Sequence, residues 1–289
     1  PPAAALALCW ATDRGDPEGP SDADSAREGR GEGGYAGIIG NQVYGPPWAS
    51  LAVAAASTTS LELETGIAMA FVRSPFETAC AALELDQISN GRFTLGLGTA
   101  PQTWTENYFG EDFVPPIGRT REVIEILRMV FDAAVNDAPS IPDYKGEHYQ
   151  LSFEGLHPNF GSEVRAVPIW IASLREKLCE LAGECADGFI GHSIWSRWWL
   201  EERALPALRR GAARGGRDPN ELQIQLWLTA SIDADPIVAA RRARGGQRGG
   251  RGGPPRVPAH RRRDGRRHGG VVGAARPLRR GVGGSDGAR

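Results

Sequence analysis

Polar side chains that could act on a ligand occur where short apolar runs of the sequence end. Asn41 and Gln42 follow one such run, and His192 closes another. An amide can orient a substrate or cofactor but cannot exchange protons near neutral pH, whereas a histidine can act as a general acid. We take Asn41, Gln42 and His192 as the candidate catalytic residues, with a purely structural histidine as the alternative for His192.

Glycines mark the ends of two further runs. The sequence TGIA at 65–68 contains a glycine that permits unusual backbone angles and close backbone approach. The sequence GLGT at 96–99 lacks the third glycine and the immediate helix of a dinucleotide-binding loop, because Pro101 follows. We therefore exclude a nicotinamide site there. Gly98 and Thr99 are candidates for contact with another cofactor, with close packing as the alternative.

The sequence SLREK at 173–177 joins a predicted strand to a predicted helix. Free backbone N–H groups at a helix N-terminus attract anions, and the two basic residues add positive charge there. Ser173, Leu174, Arg175 and Lys177 are therefore candidates for binding a cofactor, in particular its phosphate. The alternative is an ordinary pair of basic residues on the surface.

Sequence patterns for metal or covalent catalysis are absent. The four cysteines form no CxxC pair, no HExxH sequence occurs, and no GxSxG sequence forms a nucleophile elbow between a predicted strand and a predicted helix. His148 and His157 lie in loop-like sequence without metal-ligand spacing. We expect no metal site and no covalent nucleophile. The unpaired cysteines favour a reducing, cytoplasmic compartment, and the lack of an apolar run of about 18 residues argues against a membrane span.

Short apolar runs alternate with helical patterns along the chain, which is typical of a parallel α/β fold. Hydrophobic residues form 41% of the 289 residues, enough for one large domain with a core. The runs are largely apolar, as expected for strands buried on both faces. We predict seven strands, at Leu6–Thr12, Ala36–Asn41, Leu61–Ala68, Phe93–Thr99, Val167–Ser173, Gly188–His192 and Leu222–Ser231.

Three helices carry clear signals. Ser74 to Glu77 supply an N-cap, a proline at the first helical position and an acidic residue in the first turn, and Ser89 to Gly91 supply a stop. Two further segments, about Arg119 to Val135 and Glu176 to Asp187, place apolar residues on one face.

Charge is unevenly distributed, although the net charge is only -2. From Arg241 to Arg289, arginine and glycine dominate and only two acidic residues occur. Three interpretations stay open: a disordered segment that binds nucleic acid through charge, a solvated tail without a role, and out-of-frame translation of GC-rich DNA, which we favour. Residues 13–34 are also atypical, being poor in apolar residues. We predict a domain over residues 1–240 and a tail over 241–289.

Three blocks of sequence occur in a specific order. They are GYAGIIGNQVYGPPWASLAVAAAST, LETGIAMAFVRSPFETACAALELDQISNGRFTLGLGTA and VPIWIASLREKLCELAGECADGFIGH. In content and order they resemble the luciferase-like monooxygenase superfamily, and most closely its branch that uses the deazaflavin coenzyme F-420. The resemblance covers about residues 34–240, and we find none in residues 241–289.

The resemblance implies a (β/α)8 barrel with the cofactor at the carboxyl ends of the strands. It places a bulge with a cis peptide at Gly66–Ile67, followed by Ala68, behind the central ring of the cofactor. The family commonly has a Gly-Pro pair, whose backbone approaches a cofactor phosphate, where this chain has Arg175-Glu176. We therefore expect the side chain of Arg175, rather than the backbone, to bind the phosphate. Since the tail shows no strand pattern, we expect the barrel to lack a regular eighth strand.

The resemblance further implies an oxidoreductase that moves a hydride between F-420, an 8-hydroxy-5-deazaflavin, and a small organic substrate. Asn41 and Gln42 occupy the positions at which the family's sugar-phosphate dehydrogenases have an acid and a histidine. Pro101 occupies the position of a further carboxylate of those enzymes. Because these groups are missing, we do not expect sugar-phosphate oxidation. The alternatives are an FMN-dependent monooxygenase, a nucleic-acid-binding protein acting through the tail, and an inactive, truncated barrel. Nucleic acid and membrane are not expected partners, and a homodimer stays open.

Overall fold

The computed structural model describes residues 8–10, 35–42, 45–156, 159–161 and 163–228, together with the single residues 235, 237, 238 and 241. For residues 8–10 it describes the backbone alone. Our expectations for residues 13–34, for His157 and for the tail beyond residue 241 lie outside these residues.

The strands are β1 (Leu8–Trp10), β2 (Gly37–Gly40), β3 (Glu62–Thr65), β4 (Ala68–Met69), β5 (Phe93–Gly98), β6 (Tyr144–Lys145), β7 (Gln150–Leu151), β8 (Ile169–Ser173), β9 (Gly188–Gly191) and β10 (Gln223–Leu226). The main sheet has the order β1-β2-β3-β5-β8-β9-β10, and β4 pairs with β5 beside this path. Strands β6 and β7 form a separate antiparallel hairpin. All seven predicted runs therefore contain a strand of the main sheet.

The helices are α1 (Trp48–Ser57), α2 (Pro75–Ile88), α3 (Gln102–Tyr108), α4 (Pro116–Val135), α5 (Glu176–Cys185), α6 (Arg197–Trp199) and α7 (Leu205–Arg214), with a π-helical segment (Leu200–Ala204) between the last two. The predicted start of α2 is confirmed, since Ser74 Oγ accepts a hydrogen bond from Phe76 N at 3.2 Å. Its predicted stop is confirmed too, because Asn90 and Gly91 adopt positive φ angles of 55° and 81°.

Strand β1 corrects one expectation. Within the main sheet, the other neighbouring strands are parallel, but β1 pairs antiparallel with β2, with Leu8 opposite Ile39. An apolar run indicates that a strand is buried but does not encode the direction in which it pairs, so the alternating pattern could not distinguish the two arrangements.

The third predicted strand, Leu61–Ala68, is interrupted. Strand β3 ends at Thr65, β4 begins at Ala68, and the Gly66–Ile67 peptide bond between them is cis, as the resemblance implied. Thr65 Oγ1 donates a hydrogen bond to Gly96 O at 2.8 Å, which keeps the end of β3 close to β5. The chain therefore leaves the regular ladder at the carboxyl end of the third strand.

The core lies between the outer face of the sheet and the helices that follow each strand. It contains fully buried side chains from the sheet and from the helices, among them Leu63, Leu83, Phe93, Leu95, Ile126, Ile169, Leu181 and Phe189. Strands β2, β3, β5, β8, β9 and β10 form a curled parallel sheet, an incomplete (β/α)8 barrel, and β1 is added antiparallel at its edge. Among the described residues, none supplies the eighth strand of the barrel.

Arg92 directly precedes β5 and binds backbone carbonyls at the amino-terminal side of the sheet. Its guanidinium donates hydrogen bonds to Ser89 O at 2.6 Å, to Ala55 O at 3.0 Å, to Thr58 O at 2.8 Å and to Leu61 O. These carbonyls belong to the ends of α1 and α2 and to the segment that enters β3. The arginine in the sequence SNGRF therefore joins three elements at the end of the sheet opposite the candidate site.

Candidate functional site

The carboxyl ends of β8, β9 and β10 lie level with one another. Ser173 is paired with Gly191, and Gly191 is paired with Leu226. His192 follows β9 directly, and Trp227 follows β10, with Trp227 N donating to Gly191 O at 2.9 Å. The parallel register therefore brings the predicted segment 173–177 beside His192.

Gly66 lies against the side chain of Trp227, the residue that follows β10. A methyl group placed on Gly66 would collide with Ile39 and would lie 2.8 Å from Cζ2 of Trp227. Gly98 is constrained in the same way, because a methyl group there would collide with the side chain of Ile67. The backbone at Gly66 and Ile67 is thus held on one side by Ile39 and Trp227 and on the other by β5.

Glu64 lies inside the curled sheet with 1% of its surface exposed. Its Oε2 accepts a hydrogen bond from Gln225 Nε2 at 2.9 Å. The Oε1 of Gln225 in turn accepts from Trp227 Nε1 at 3.1 Å. Burial is the main reason why the pKa of Glu64 is raised to about 8, with a further rise from Glu62 and an opposing effect of the Gln225 hydrogen bond.

His192 is half-buried at the end of β9, and its ring lies 6.0 Å from that of Trp227. The Nδ1 atom accepts a hydrogen bond from Ile194 N at 3.2 Å, so the neutral ring carries its proton on Nε2. Burial lowers the pKa of His192, which favours this neutral form. The side chain can therefore donate a hydrogen bond from Nε2 towards a ligand at the strand ends.

Gln42 is buried, and its amide oxygen already has two donors. Oε1 accepts from Met69 N at 2.9 Å and from Arg73 Nη1 at 3.2 Å. The side chain thereby ties the end of β2 to β4, a structural role that the sequence did not suggest. Asn41, its neighbour, is partly buried.

A cavity of about 470 Å³ opens at the carboxyl ends of β2, β4 and β5. Most of its wall is apolar or aromatic, and Arg73 is the charged residue among the side chains that line it. Its lining residues are Gln42, Gly45, Pro46, Arg73, Trp104, Tyr108 and Phe109. The Arg73 guanidinium lies 6.0 Å from the ring of Trp48 and 3.7 Å from the Glu77 carboxylate.

The turn from β8 to α5 places its basic residues in solvent. Ser173 Oγ donates to Arg175 O at 2.8 Å and accepts from Arg175 N at 3.0 Å, so this hydroxyl shapes the turn. Leu174, Arg175 and Lys177 are exposed, and the Glu176 carboxylate lies 3.3 Å from Arg203 Nη1. The first turn of α5 has no side-chain cap, so its N–H groups can face an anion.

The structure places these predicted residues at the carboxyl edge of the sheet, with Gly66 beside Trp227, Ile67 beside Gly98, and Ser173 paired with Gly191, the neighbour of His192. Thr99 is partly buried at the end of β5. Sequence reasoning missed Glu64, Gln225 and Trp227. One signal was available: positions 225 and 227 are two apart, so their side chains share a face of one strand.

The model of the family described as "Luciferase-like monooxygenase" matches residues 31–280. This chain belongs to the luciferase-like monooxygenase family. The matched range extends beyond residue 240, where we expected the resemblance to end.

An uncharacterised protein of Mycobacterium tuberculosis is 35% identical over 197 residues, which are 67% of this chain and 57% of the relative. An F-420-dependent glucose-6-phosphate dehydrogenase of Mycolicibacterium gilvum is 28% identical over 194 residues, which are 65% of this chain and 54% of the relative. The chain thus spans little more than half the length of these curated relatives.

The solved structure of an F-420-dependent secondary alcohol dehydrogenase with an F-420–acetone adduct superposes with a TM-score of 0.63. It is 21% identical, and the superposition covers 76% of this chain and 68% of that one. At this identity the likeness shows the luciferase-like barrel fold. In the part of the chain that the structure describes, no group of three or more metal-binding side chains occurs and no helix could span a membrane.

Proposed function

We propose that this chain binds coenzyme F-420 at the carboxyl ends of its strands and serves hydride transfer between that cofactor and a small organic substrate. The observation that carries the proposal is the backbone at Gly66 and Ile67, which is packed from behind by Ile39, Gly98 and Trp227. A backbone segment fixed in this way forms a firm support on which a flat ring can rest. When bound, the deazaflavin would supply the hydride-carrying carbon.

The candidate phosphate-binding residues fit an anionic cofactor. The uncapped first turn of α5 offers backbone N–H groups, and Arg175 and Lys177 add positive charge beside it. Arg203 lies close to Glu176, the acidic residue in that turn, and offsets its negative charge. The anionic part of the cofactor would bind here, next to His192.

His192 would bind the cofactor or the substrate as a hydrogen-bond donor. Its Nδ1 is occupied by the backbone of Ile194, which leaves the Nε2 proton for the ligand. Because burial lowers the pKa of His192, the neutral donor is the main form at neutral pH.

The cavity beside Gln42 and Arg73 is the proposed substrate chamber. Trp104, Tyr108 and Phe109 supply aromatic walls, and Arg73 supplies a positive charge. Such a lining suits a substrate with an apolar, preferably flat body and one oxygen that accepts a hydrogen bond. The departures at Asn41, Gln42 and Pro101 leave no carboxylate or histidine at those positions, which again disfavours sugar-phosphate oxidation.

The proposal is tested by adding F-420 or FMN to the purified chain and following cofactor fluorescence. We expect saturable binding of F-420 that weakens when Arg175 is replaced by Glu, with Arg197→Glu, an exposed arginine beyond β9, as the matched control. Tight binding of FMN without binding of F-420 would favour the alternative, an FMN-dependent monooxygenase. If neither cofactor binds, the proposed function is wrong.

A further inference from the structure

The Glu64 carboxyl has an unusual place in the barrel. It belongs to β3, is 1% exposed, and accepts a hydrogen bond at Oε2 from Gln225 Nε2. Its other oxygen, Oε1, is buried and has no hydrogen-bond partner among the described residues. A carboxyl group in such a place is costly to ionise, because a buried charge requires a counter-ion or water.

Among the strands that the structure describes, no such counter-ion is available. The adjacent strands β2 and β5, and β10 across the interior, contain no charged side chain, and neither do β8 and β9. The charged group that acts on Glu64 is Glu62 on the same strand, which opposes ionisation. His192, whose ring lies 6.0 Å from that of Trp227, is favoured in its neutral form and therefore supplies no positive charge.

Two hydrogen bonds connect the Glu64 carboxyl group to Trp227, which packs on the backbone at Gly66 and Ile67 that we propose to support the cofactor ring. Gln225 donates from Nε2 to Glu64 and accepts at Oε1 from Trp227 Nε1, so both ends of its amide are fixed. The Trp227 ring then returns across the barrel to pack on Gly66, two residues after Glu64. The chain of contacts Glu64–Gln225–Trp227–Gly66 is therefore a closed loop between β3 and β10.

We propose that Glu64 is a positioning residue for the site of the cofactor ring. Its neutral carboxyl group fixes Gln225 by a hydrogen bond, Gln225 fixes Trp227 by another, and the Trp227 ring supports the backbone at Gly66. The inference rests on the proposed function, because it assigns that backbone to a bound redox ring. When Glu64 ionises, the buried charge draws in water and loosens the loop. The same negative charge then faces an anionic cofactor from behind.

The first experiment uses the full chain without cofactor and follows tryptophan emission from pH 6 to pH 10. The difference between the unmodified chain and Trp227→Phe isolates Trp227. We expect its emission to change with a midpoint near the pKa of Glu64, about 8, and to stay constant in Glu64→Gln, which preserves the hydrogen bond without the charge. In the matched control Glu62→Gln, the change should persist with a lower midpoint. A transition that persists unchanged in Glu64→Gln, or its absence from the unmodified chain, overturns the proposal.

The second experiment measures F-420 affinity at pH 7 and pH 9. We expect affinity in the unmodified chain to fall about tenfold at the higher pH and to stay constant in Glu64→Gln. Glu64→Leu, which removes the partner of Gln225, should bind weakly at both pH values. Unaltered affinity in Glu64→Leu contradicts the proposal. If no variant binds F-420, the proposed function fails, but the emission experiment still decides whether Glu64 positions Trp227.

Discussion

The ring of Trp227 packs against the backbone of Gly66, although the two residues belong to strand positions on opposite sides of the barrel interior. A methyl group on Gly66 would lie 2.8 Å from Cζ2 of Trp227 and would also collide with Ile39. Glycine is therefore required at position 66 by the side chains behind it, whatever ligand lies in front.

The first prediction follows from this contact. Gly66→Ala should destabilise the fold by about 1 to 3 kcal/mol, because the added methyl group overpacks a filled site, and should weaken F-420 binding at least tenfold. Chemical denaturation and cofactor titration measure the two effects. Gly45→Ala is the control for stability, since nothing lies within 4 Å of its added methyl group. Equal stability of the two variants would contradict the prediction.

Glu64 should make stability depend on pH. Its folded pKa of about 8 lies above the ordinary value of 4.5, so its favourable contribution is complete below about pH 4.5 and is lost as the pH rises to about 8. We expect Glu64→Gln to be more stable than the unmodified chain at pH 8 by roughly 4 kcal/mol and to lose this advantage towards pH 4.5. Denaturant unfolding at a series of pH values gives the comparison. An advantage that does not vary with pH would show that ionisation is not its cause.

His192 should contribute through its Nε2 proton. His192→Gln can present an amide N–H at a similar reach, so we expect F-420 affinity within about threefold of the unmodified chain. His192→Phe removes the donor and should cost about tenfold in affinity, the effect of one neutral hydrogen bond. Titration at neutral pH separates the variants. The role as donor is excluded if Phe and Gln variants bind equally well.

Arg92 should matter for stability alone. Arg92→Lys keeps the charge but cannot reach the same carbonyls at the ends of α1 and α2, so unfolding should become easier by about 2 kcal/mol. Affinity for F-420 should not change, because Arg92 lies at the opposite ends of the strands. Arg197→Lys is the matched control, since Arg197 is 87% exposed and makes one ion pair with Glu201. A weaker affinity in Arg92→Lys would show that the two ends of the sheet are coupled.

Local chemistry explains which parts of the fold could be predicted from the sequence. The apolar runs located the strands, and the Ser74 cap and the stop at Asn90 and Gly91 located α2, because these signals depend on neighbours in the chain. The direction of β1 could not be predicted, since the pattern is the same for both directions. Helix α3, which supplies much of the aromatic wall of the cavity, was also not predicted.

The candidate site was predictable where it lies on the backbone of strand ends, as at Gly66, and not where it depends on distant side chains. The Glu64–Gln225 hydrogen bond joins residues 161 positions apart in the sequence, and the residues around either one do not indicate that the two are in contact. Gln42 shows the same limit. Its amide oxygen accepts hydrogen bonds from Met69 and Arg73, which its sequence context did not indicate, while its contact with a ligand stays a prediction.

The fit of Ile67 against Gly98 links the choice of amino acid at two positions that belong to different strands. A bulkier residue at position 98 needs a smaller one at position 67, so Gly98→Ala should be tolerated in the background of Ile67→Ala and poorly without it. Among related chains, these two positions should accordingly vary as a pair, with their summed side-chain volume kept nearly constant.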